Sequence, residues 1–291
     1  MTNNSPRLSI GLPVYDRTAF LGAVLDCLKN QTFQAFEVVV SDNASPHERI
    51  REVFDAHVGR DARFRYVRHD TALPVIQHFR YVFEETDGPY FMWAADDDLW
   101  APEFAEEAVA ALDRDPTKSA WFCQIENIDA VGASIRSYPD FRRFTASSDK
   151  AADLSRFLQE PEILGKANLW YSVYRRPALA AALKAFVSSE VTAWGADMAM
   201  VYGFICRHDH VIDGRVLFRK RIDQATGPIV ICEPRDHIYP SKRWGAYRQN
   251  FLTVAAGTPW ENLTRETLDK RRKSDRAYAL KRTLGRLIGL K

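Results

Sequence analysis

Apolar positions in the first 125 residues follow two alternating periods. Short apolar runs of strand length, flanked by turn-forming residues, occupy residues 8–14, 36–42, 64–69, 89–95 and 120–127. Between them, apolar residues recur every three to four positions and predict helices over 18–30, 46–57, 75–85 and 102–112. Such alternation favours an α/β fold with a doubly wound, mostly parallel sheet that helices cover on both faces.

The second half of the chain has a different pattern. Residues 134–150 are rich in Ser, Asp, Arg and aromatic residues and look like a long loop. Residues 210–221 are predicted to form a hairpin, because Asp213-Gly214 supplies a turn. Beyond Thr264 the pattern predicts one helix or two. Further helical patterns cover 151–160, 177–187 and 197–206.

Three aspartates follow the fourth predicted strand, in the segment WAADDDLWAP. Ligands of doubly wound sheets bind at the carboxyl ends of the strands. Adjacent carboxylates repel one another unless a cation compensates, and hard oxygen ligands suit Mg²⁺ or Mn²⁺. Such an ion neutralises charge that develops on a leaving diphosphate. The alternative is a solvated acidic loop before the helix that begins near Pro102.

Two other strand ends carry polar groups. The first strand ends in PVYDR, which places Tyr15, Asp16 and Arg17 at the sheet edge. The second ends in SDNAS, where Asp42 could accept a hydrogen bond from a nucleobase N–H. A turn that caps the next helix explains the same residues, and both roles can hold at once.

Composition narrows the function classes. Hydrophobic residues make up 46% and charged residues 27%, a globular balance, and a net charge of +2 gives no global electrostatic case for a nucleic-acid partner. The polar N-terminus lacks a signal-peptide core, and no apolar run approaches about 20 residues. A cytoplasmic protein is therefore expected, either free or peripheral on the inner face of the cell membrane. Its scattered cysteines, without a Cys-x-x-Cys pair, are expected to be reduced and buried: Cys27, Cys123, Cys206 and Cys232.

The C-terminal segment is strongly basic. From Thr264 to Lys291 it carries ten Lys or Arg against three acidic residues. One interpretation is an in-plane helix attracted to an anionic membrane surface. The others are a helix packed on the body of the protein and a dimer contact. The apolar positions opposite the basic residues are Leu280, Leu284, Leu287 and Ile288.

Three segments, SIGLPVYDR, VVVSDNAS and YFMWAADDDLWAPEF, resemble in order and spacing the family-2 glycosyltransferases with the GT-A fold. WGADMAMVYGFICRHDHVIDGRVLFRKR is similar to the Gly-Ala-Asp segment of bacterial cell-surface polysaccharide transferases. The resemblance implies a metal-dependent, inverting transfer from a nucleotide-diphosphate sugar to a hydroxyl of a glycan or lipid-linked acceptor. It also implies a nucleotide-sugar-binding half (1–130), an acceptor-binding and catalytic half (131–240) and a basic helical extension (241–291).

The resemblance also implies residue roles. Asp97 occupies the usual metal-ligand position, with Asp98 as its rival. Asp197 matches the general base that deprotonates the acceptor hydroxyl; the alternative is that it caps the helix 197–206. The remaining donor-side roles are a nucleotide pocket lined by Pro13, Tyr15 and Arg17, a base contact from Asp42, and ribose and metal contacts from Asp96 and Asp97.

The chain departs from its relatives at three places. Ala95 stands where many relatives have Asp or Ser, and residues 69–74 replace an Asn-x-Gly loop. Residues 221–223 read Arg-Ile-Asp where relatives often have Arg-x-His, so the third metal ligand would be Asp223, His237 or water.

Weaker signals leave alternatives open. Residues 219–221 could neutralise a diphosphate or form a solvated face, and the His-Asp-His run 208–210 is a poor zinc site because neighbours on a strand point to opposite faces. Rival functions are a nucleotidyltransferase, whose Gly-rich phosphate loop is missing here, and a non-catalytic glycan-binding module. Aromatic residues that either contact acceptor sugars or belong to the core are Trp170, Tyr171, Trp194 and Trp244.

Overall fold

The computed structural model of the chain describes residues 5–145, 149–187, 195–222 and 241–287. The strands are β1 (Leu8–Val14), β2 (Phe36–Asp42), β3 (Phe64–Arg68), β4 (Tyr90–Trp93), β5 (Leu99–Trp100), β6 (Lys118–Ile128), β7 (Ser134–Ser137), β8 (Val173–Arg175) and β9 (Asp209–Arg221). The helices are α1 (Leu21–Lys29), α2 (Arg49–His57), α3 (Val75–Glu84), α4 (Phe104–Arg114), α5 (Lys150–Gln159), α6 (Arg176–Val187), α7 (Ala196–Arg207), α8 (Ser241–Ala255) and α9 (Glu261–Leu287). Short 3₁₀ helices cover Phe141–Phe144, Glu162–Leu164 and Lys166–Tyr171.

The nine strands of the described residues belong to one sheet with the order β3-β2-β1-β4-β8-β6-β9-β5, and β7 pairs with β6. The pairs β1–β2, β1–β4, β2–β3 and β6–β9 are parallel, whereas β8 runs antiparallel to both β4 and β6. The predicted α/β fold with a mostly parallel sheet is confirmed. Strands from both predicted halves, residues 1–130 and 131–240, belong to this one sheet, so the sheet does not mark where one half ends. The predicted boundary near residue 130 stays a prediction.

Register brings the ends of β1, β2 and β4 to one edge of the sheet. Val14 lies opposite Asp42, and Gly11 lies opposite Trp93. Helix α3 packs closely on β1: a Cβ at Gly11 would lie 2.6 Å from Val82 Cγ2. A glycine in the middle of a strand here permits that close approach.

The hairpin predicted over 210–221 is wrong. Residues 209–221 form one strand, β9, parallel to β6. Ile212 pairs with Phe122 and Val216 pairs with Gln124, so the segment 213–215 forms a bulge. The Asp-Gly pair therefore supplies a bulge and not a chain reversal. The predicted loop 134–150 also contains regular structure, namely β7, a 3₁₀ helix and the start of α5.

The basic C-terminal segment forms one helix over its described length, α9. It packs on α5 and α8, and Leu268 is fully buried. Leu280 is exposed, whereas the side chains of the remaining apolar positions of the tail lie outside the described part. Among the described helices, none combines the length and the apolar character that crossing a membrane requires.

A buried charge cluster, here called the Glu162 network, fastens α9 to the body. It consists of Glu162, Lys166, Tyr247 and Arg271. Arg271 donates two hydrogen bonds of 2.9 Å to the Glu162 carboxylate, and Tyr247 Oη donates a third of 2.7 Å. Lys166 is fully buried, and its Nζ lies 3.0 Å from Glu162 Oε1.

Of the four cysteines, the described ones are free thiols. Cys123 and Cys206 are buried, as expected, and Cys27 is half-buried. Cys232 lies outside the described residues.

Candidate active site

The ends of β1 and β2 are tied together by the backbone. Asn43 N–H donates to the Val14 carbonyl at 2.9 Å, and Asp16 N–H donates to Ser45 Oγ at 2.9 Å. Asp16 (φ 51°) and Ala44 (φ 60°) have left-handed backbone conformations that cost free energy in non-glycine residues. Such strained positions cluster at functional sites, and here they occupy the two strand ends at which the sequence predicts a nucleotide pocket.

Asp42 lies at the base of these loops with its carboxylate already bonded. Tyr66 Oη donates to Oδ2 at 2.8 Å and Ser45 N–H donates to Oδ1 at 2.9 Å. Arg68 Nε is 3.8 Å away, and the Asp42 side chain is fully buried. A carboxylate can accept further hydrogen bonds, but a fully buried one contacts a nucleobase only if the residues that cover it move. The predicted base contact stays a prediction.

The loop after β3 is fixed by a residue that the sequence analysis quoted only as part of a turn. Asn43 donates to the Leu73 carbonyl at 3.0 Å and accepts from Leu73 N–H at 2.8 Å. The amide thus pairs both backbone groups of Leu73 in the middle of the loop 69–74. Its position directly after Asp42 was the available signal, since Asn side chains often bond to backbone groups of turns.

The three aspartates after β4 form an acidic cluster, Asp96–Asp98, with Arg17 across its open side. The guanidinium of Arg17 pairs with Asp97 and lies 3.4 Å from Asp96. Burial, with help from the other two carboxylates and against the charge of Arg17, raises the pKa of Asp96 to about 7.

Asp98 is the buried member of the acidic cluster. Its Oδ1 accepts Arg221 N–H at 2.8 Å, whereas its Oδ2 accepts no hydrogen bond from the described residues. Lys220 Nζ lies 3.7 Å from this Oδ2. Burial raises the pKa of Asp98 to about 6, and Asp97 adds to the effect. The alternative of a solvated acidic loop is wrong for this residue, because the Asp98 side chain has no exposure.

Among the three basic residues 219–221, only Lys220 directs its charge at the acidic cluster. Arg219 pairs with Glu126 at 3.1 Å. Arg221 is buried, and its side chain bonds to the carbonyls of Asp97, Asp129 and Ala130. Lys220 also lies 5.2 Å from the ring centroid of Tyr171.

The acidic cluster can supply some, but not all, of the ligands of a divalent cation. The described residues contain no group of three His, Cys, Asp or Glu side chains that could enclose a metal. Mg²⁺ commonly binds through one or two carboxylates and completes its shell with water and substrate phosphates. The half-buried Asp97 and the unbonded Oδ2 of Asp98 suit that arrangement. The predicted further ligands Asp223 and His237 lie outside the described residues.

A cavity of about 630 Å³ lies near the acidic cluster and is linked to it through Lys220. Its walls are mostly apolar, and Lys220 lines it while also facing Asp98. Mostly apolar clefts with a few polar groups are the usual form of small-molecule sites. Among the side chains that line the cavity are Val75, Phe79, Trp170, Tyr171 and Asp197.

Asp197 lies in the first turn of α7 and on the wall of this cavity. The N-cap residue of α7 is Gly195, but Asp197 Oδ1 accepts Met198 N–H at 2.8 Å in the same first turn. Asp197 therefore bonds to the start of the helix, and its role as a general base stays a prediction. The Asp197 residue remains accessible to solvent, yet the surrounding protein desolvates its carboxyl and raises its pKa. A carboxylate of raised basicity beside a cavity can accept a proton from a bound hydroxyl.

The remaining predicted residues are divided between the site and the core. Pro13 and Tyr15 lie at the end of β1, and Tyr15 is 54% exposed. Trp170 stacks on Trp93 with a centroid distance of 4.4 Å and lines the cavity. Trp244 stacks on Tyr247 in the core. Trp194 lies outside the described residues.

Comparisons with known proteins identify the family of the chain and its relatives. The model of glycosyl transferase family 2 matches residues 9–169. An uncharacterized glycosyltransferase of Rickettsia felis is 26% identical over 132 residues, which cover 45% of this chain and 21% of that protein. One from Rickettsia typhi is 25% identical over 154 residues, covering 53% of this chain and 46% of that protein. The matches thus span less than half of either relative.

Solved structures show the same fold. Residues 1–349 of TarS from Staphylococcus aureus, in complex with UDP, superpose with a TM-score of 0.61 at 14% identity, covering 98% of this chain and 75% of that one. The mannosyltransferase PcManGT from Pyrobaculum calidifontis, in complex with GDP-Man and Mn²⁺, gives a TM-score of 0.51 at 16% identity, covering 99% and 81%. The likeness confirms the predicted GT-A fold.

Proposed function

Since the chain belongs to glycosyl transferase family 2, we propose that it moves a sugar from a nucleotide-diphosphate donor to a hydroxyl group of a glycan or lipid-linked acceptor. One observation carries the proposal. The acidic cluster and the cavity that contains Asp197 lie near each other, and Lys220 lines the cavity while facing Asp98. A donor diphosphate and an acceptor hydroxyl can therefore meet at one place.

The donor half of the site consists of the strand ends of β1, β2 and β4. Pro13, Tyr15 and Arg17 line the nucleotide side, and Asp96 holds the ribose. Structural neighbours that contain UDP-GlcNAc or GDP-Man support a nucleotide-sugar donor. In this assignment residues 1–130 bind the donor, residues 131–240 bind the acceptor, and residues 241–291 form the basic extension.

Asp97 and Asp98 are the residues that would hold Mg²⁺ or Mn²⁺. When bound, such a cation neutralises charge on the departing diphosphate. The Mn²⁺ in the complex of PcManGT supports this choice. Lys220, next to Asp98, contributes a fixed positive charge on the same side of the cavity.

Asp197 acts as the general base. Its carboxylate takes the proton of the acceptor hydroxyl, the oxygen attacks the anomeric carbon, and the bond from that carbon to the diphosphate oxygen breaks. A single displacement of this kind inverts the anomeric configuration. The raised pKa of Asp197 increases its basicity towards the hydroxyl proton.

The acceptor side is mainly apolar. Val75 is 70% exposed at the mouth of the cavity, and Phe79 and Trp170 line its wall. This surface suits a lipid-linked acceptor, and the basic helix α9 would bring the enzyme to an anionic membrane surface. Cytoplasmic, peripheral placement and a role in surface polysaccharide synthesis follow as parts of this proposal.

The experiment is a panel of nucleotide sugars tested with the full chain in the presence and absence of Mn²⁺. Donor binding is measured as a shift in melting temperature, and slow hydrolysis as free nucleotide released. Asp97→Asn should remove Mn²⁺-dependent donor binding and leave the circular dichroism spectrum unchanged. Asp197→Asn should keep donor affinity and lower nucleotide release by about 10²–10⁴-fold.

Three outcomes reject the proposal or its parts. Glycan binding without any response to nucleotides would indicate a non-catalytic module. Conversion of a nucleotide sugar and added pyrophosphate into a nucleoside triphosphate and a sugar phosphate would indicate a nucleotidyltransferase. Full activity of Asp197→Asn would remove Asp197 from the mechanism while leaving the donor site in place.

A further inference from the structure

We propose that Arg17 is a displaceable counter-ion of the acidic cluster, which leaves Asp96 and Asp97 when a divalent cation and a nucleotide diphosphate bind and then pairs with the diphosphate. This inference rests on the proposed function. Arg17 would therefore not only line the nucleotide pocket but also exchange one set of partners for another. In consequence, the cation and the nucleotide bind with positive coupling.

The first observation is the position of Arg17. Its guanidinium pairs with Asp97 and lies 3.4 Å from Asp96 Oδ1. The Arg17 side chain is 57% exposed, whereas those of Asp96 and Asp97 are 10% and 18% exposed. The guanidinium therefore covers the carboxylates from the solvent side, where a cation would approach.

The second observation is the contrast with the other two cations near the cluster. Arg221 is buried and bonded to three backbone carbonyls. Lys220 is held between Asp98 and the ring of Tyr171. Arg17 makes its described polar contacts only with Asp96 and Asp97. Of these three cations, Arg17 is therefore the one that can change partners without breaking the core.

The third observation is that the backbone at Arg17 is anchored. The preceding residue, Asp16, has φ 51° and donates its N–H to Ser45 Oγ. The strand end is thus fixed on the neighbouring loop, and an exchange of partners requires only side-chain rotation. Rotation of an exposed side chain is fast, on the scale of picoseconds to nanoseconds.

Competition follows from these contacts. A cation that binds Asp97 competes with the guanidinium, because Arg17 bonds to Asp97 Oδ2 and covers the carboxylates from the solvent side. Since the described residues offer no complete metal cage, the cation alone gains few ligands for this exchange. A diphosphate supplies further oxygens to the cation and a partner for the released guanidinium, which pairs well with phosphate. Each ligand thereby strengthens binding of the other by the same factor.

The test compares wild type with Arg17→Met and with a matched control. Arg7→Met removes an arginine at the opposite end of β1, where Arg7 pairs with Asp113 at 2.8 Å and is similarly exposed. Affinity for MnCl₂ is measured by electron paramagnetic resonance without nucleotide, then with UDP and with GDP. Affinity for each nucleotide is measured by calorimetry with and without saturating MnCl₂.

Arg17→Met is expected to change the two affinities in opposite directions. Without nucleotide, Mn²⁺ binding should strengthen about threefold or more, because its competitor is gone. With saturating Mn²⁺, nucleotide binding to Arg17→Met should weaken about tenfold. In wild type, the factor by which Mn²⁺ and nucleotide strengthen each other's binding should lie in the usual range of about 5–150-fold. Arg17→Lys, which keeps the charge, should have affinities for Mn²⁺ and nucleotide between those of wild type and Arg17→Met. Arg7→Met should match wild type.

Other outcomes overturn the inference. If Arg17→Met leaves Mn²⁺ affinity unchanged or weakens it, Arg17 is not a competitor of the cation. If nucleotide affinity stays unchanged, Arg17 does not reach the diphosphate. If wild type itself binds neither UDP nor GDP in the presence of Mn²⁺, the proposed donor site fails, and this inference fails with it. The wild-type titration thus separates the two failures.

Discussion

Two clusters of charged side chains differ in how completely the protein pairs their carboxylates. In the Glu162 network, one carboxylate that is 12% exposed receives hydrogen bonds from Arg271 and Tyr247 and contacts the ammonium of Lys166. In the acidic cluster, three carboxylates share one exposed guanidinium and one lysine, and Asp98 Oδ2 is left without a hydrogen bond from the described residues. The protein itself thus supplies the partners of the Glu162 carboxylate, whereas it leaves the carboxylates of the acidic cluster underpaired.

The difference shows in the pKa values. Burial alone would raise the pKa of Glu162, but Lys166 and Arg271 outweigh it and lower the pKa well below its usual value. Burial and mutual repulsion raise the pKa of Asp96 to about 7 and that of Asp98 to about 6. A paired carboxylate stabilises the fold, whereas an underpaired cluster costs stability and retains affinity for a ligand.

The largest expected effect is the loss of Glu162. Glu162→Gln leaves the buried ammonium of Lys166 without its counter-charge, so the free energy of unfolding should fall by about 3–5 kcal/mol. Equilibrium denaturation in urea measures it. The control is Glu84→Gln, which breaks the exposed pair with Arg80 and should cost less than about 1 kcal/mol. Equal losses in the two variants would contradict the distinction between saturated and exposed pairs.

A smaller effect concerns pH. Because the folded-state pKa of Glu162 is lowered, its stabilisation is complete above the unfolded value of 4.5 and is lost as pH falls below it. Each pH unit below 4.5 should reduce the stability difference between wild type and Glu162→Gln by up to about 1.4 kcal/mol. Denaturation curves of both proteins at pH 6.5, 4.5 and 3.5 measure this. A difference that stays constant over the series would refute the assignment.

The smallest effect has the opposite sign. Asp96→Asn removes one of three mutually repelling carboxylates and should raise the free energy of unfolding at pH 8 by about 0.5–1 kcal/mol. The same variant should bind nucleotide sugar more weakly, since Asp96 is assigned to the donor. The same denaturation assay checks the sign. A loss of stability would mean that the contact with Arg17 outweighs the repulsion in the acidic cluster.

Local patterns in the sequence predicted most of the parallel half of the fold. The bounds of β1 and β2 agree with the apolar runs, and the helix predicted over 75–85 ends one residue earlier at Glu84. Periodicity is a local property, so a short window contains it. The acidic cluster was predictable for the same reason, because a strand and its three following carboxylates are contiguous in the chain.

Contacts between distant residues could not be predicted in this way. Asp98 and Lys220 meet only because β5 pairs with β9, where Leu99 lies opposite Arg219. The antiparallel strand β8 enters the sheet between β4 and β6, an order that no local pattern contains. The sequence around Glu162 and Lys166 does not predict their network, since Glu and Lys are seldom buried unless they are paired.

The bulge at residues 213–215 has a consequence for how the chain tolerates length changes. The pairing beyond the bulge fixes which side chain faces the acidic cluster, because Leu99 of β5 lies opposite Arg219 and Asn127 of β6 lies opposite Lys220. The extra residues of a bulge have no residue opposite them, so a residue added or removed there leaves the pairing of residues 218–221 in place. A residue added or removed within 218–220 would instead shift the register by one and turn a neighbour of Lys220 towards Asp98.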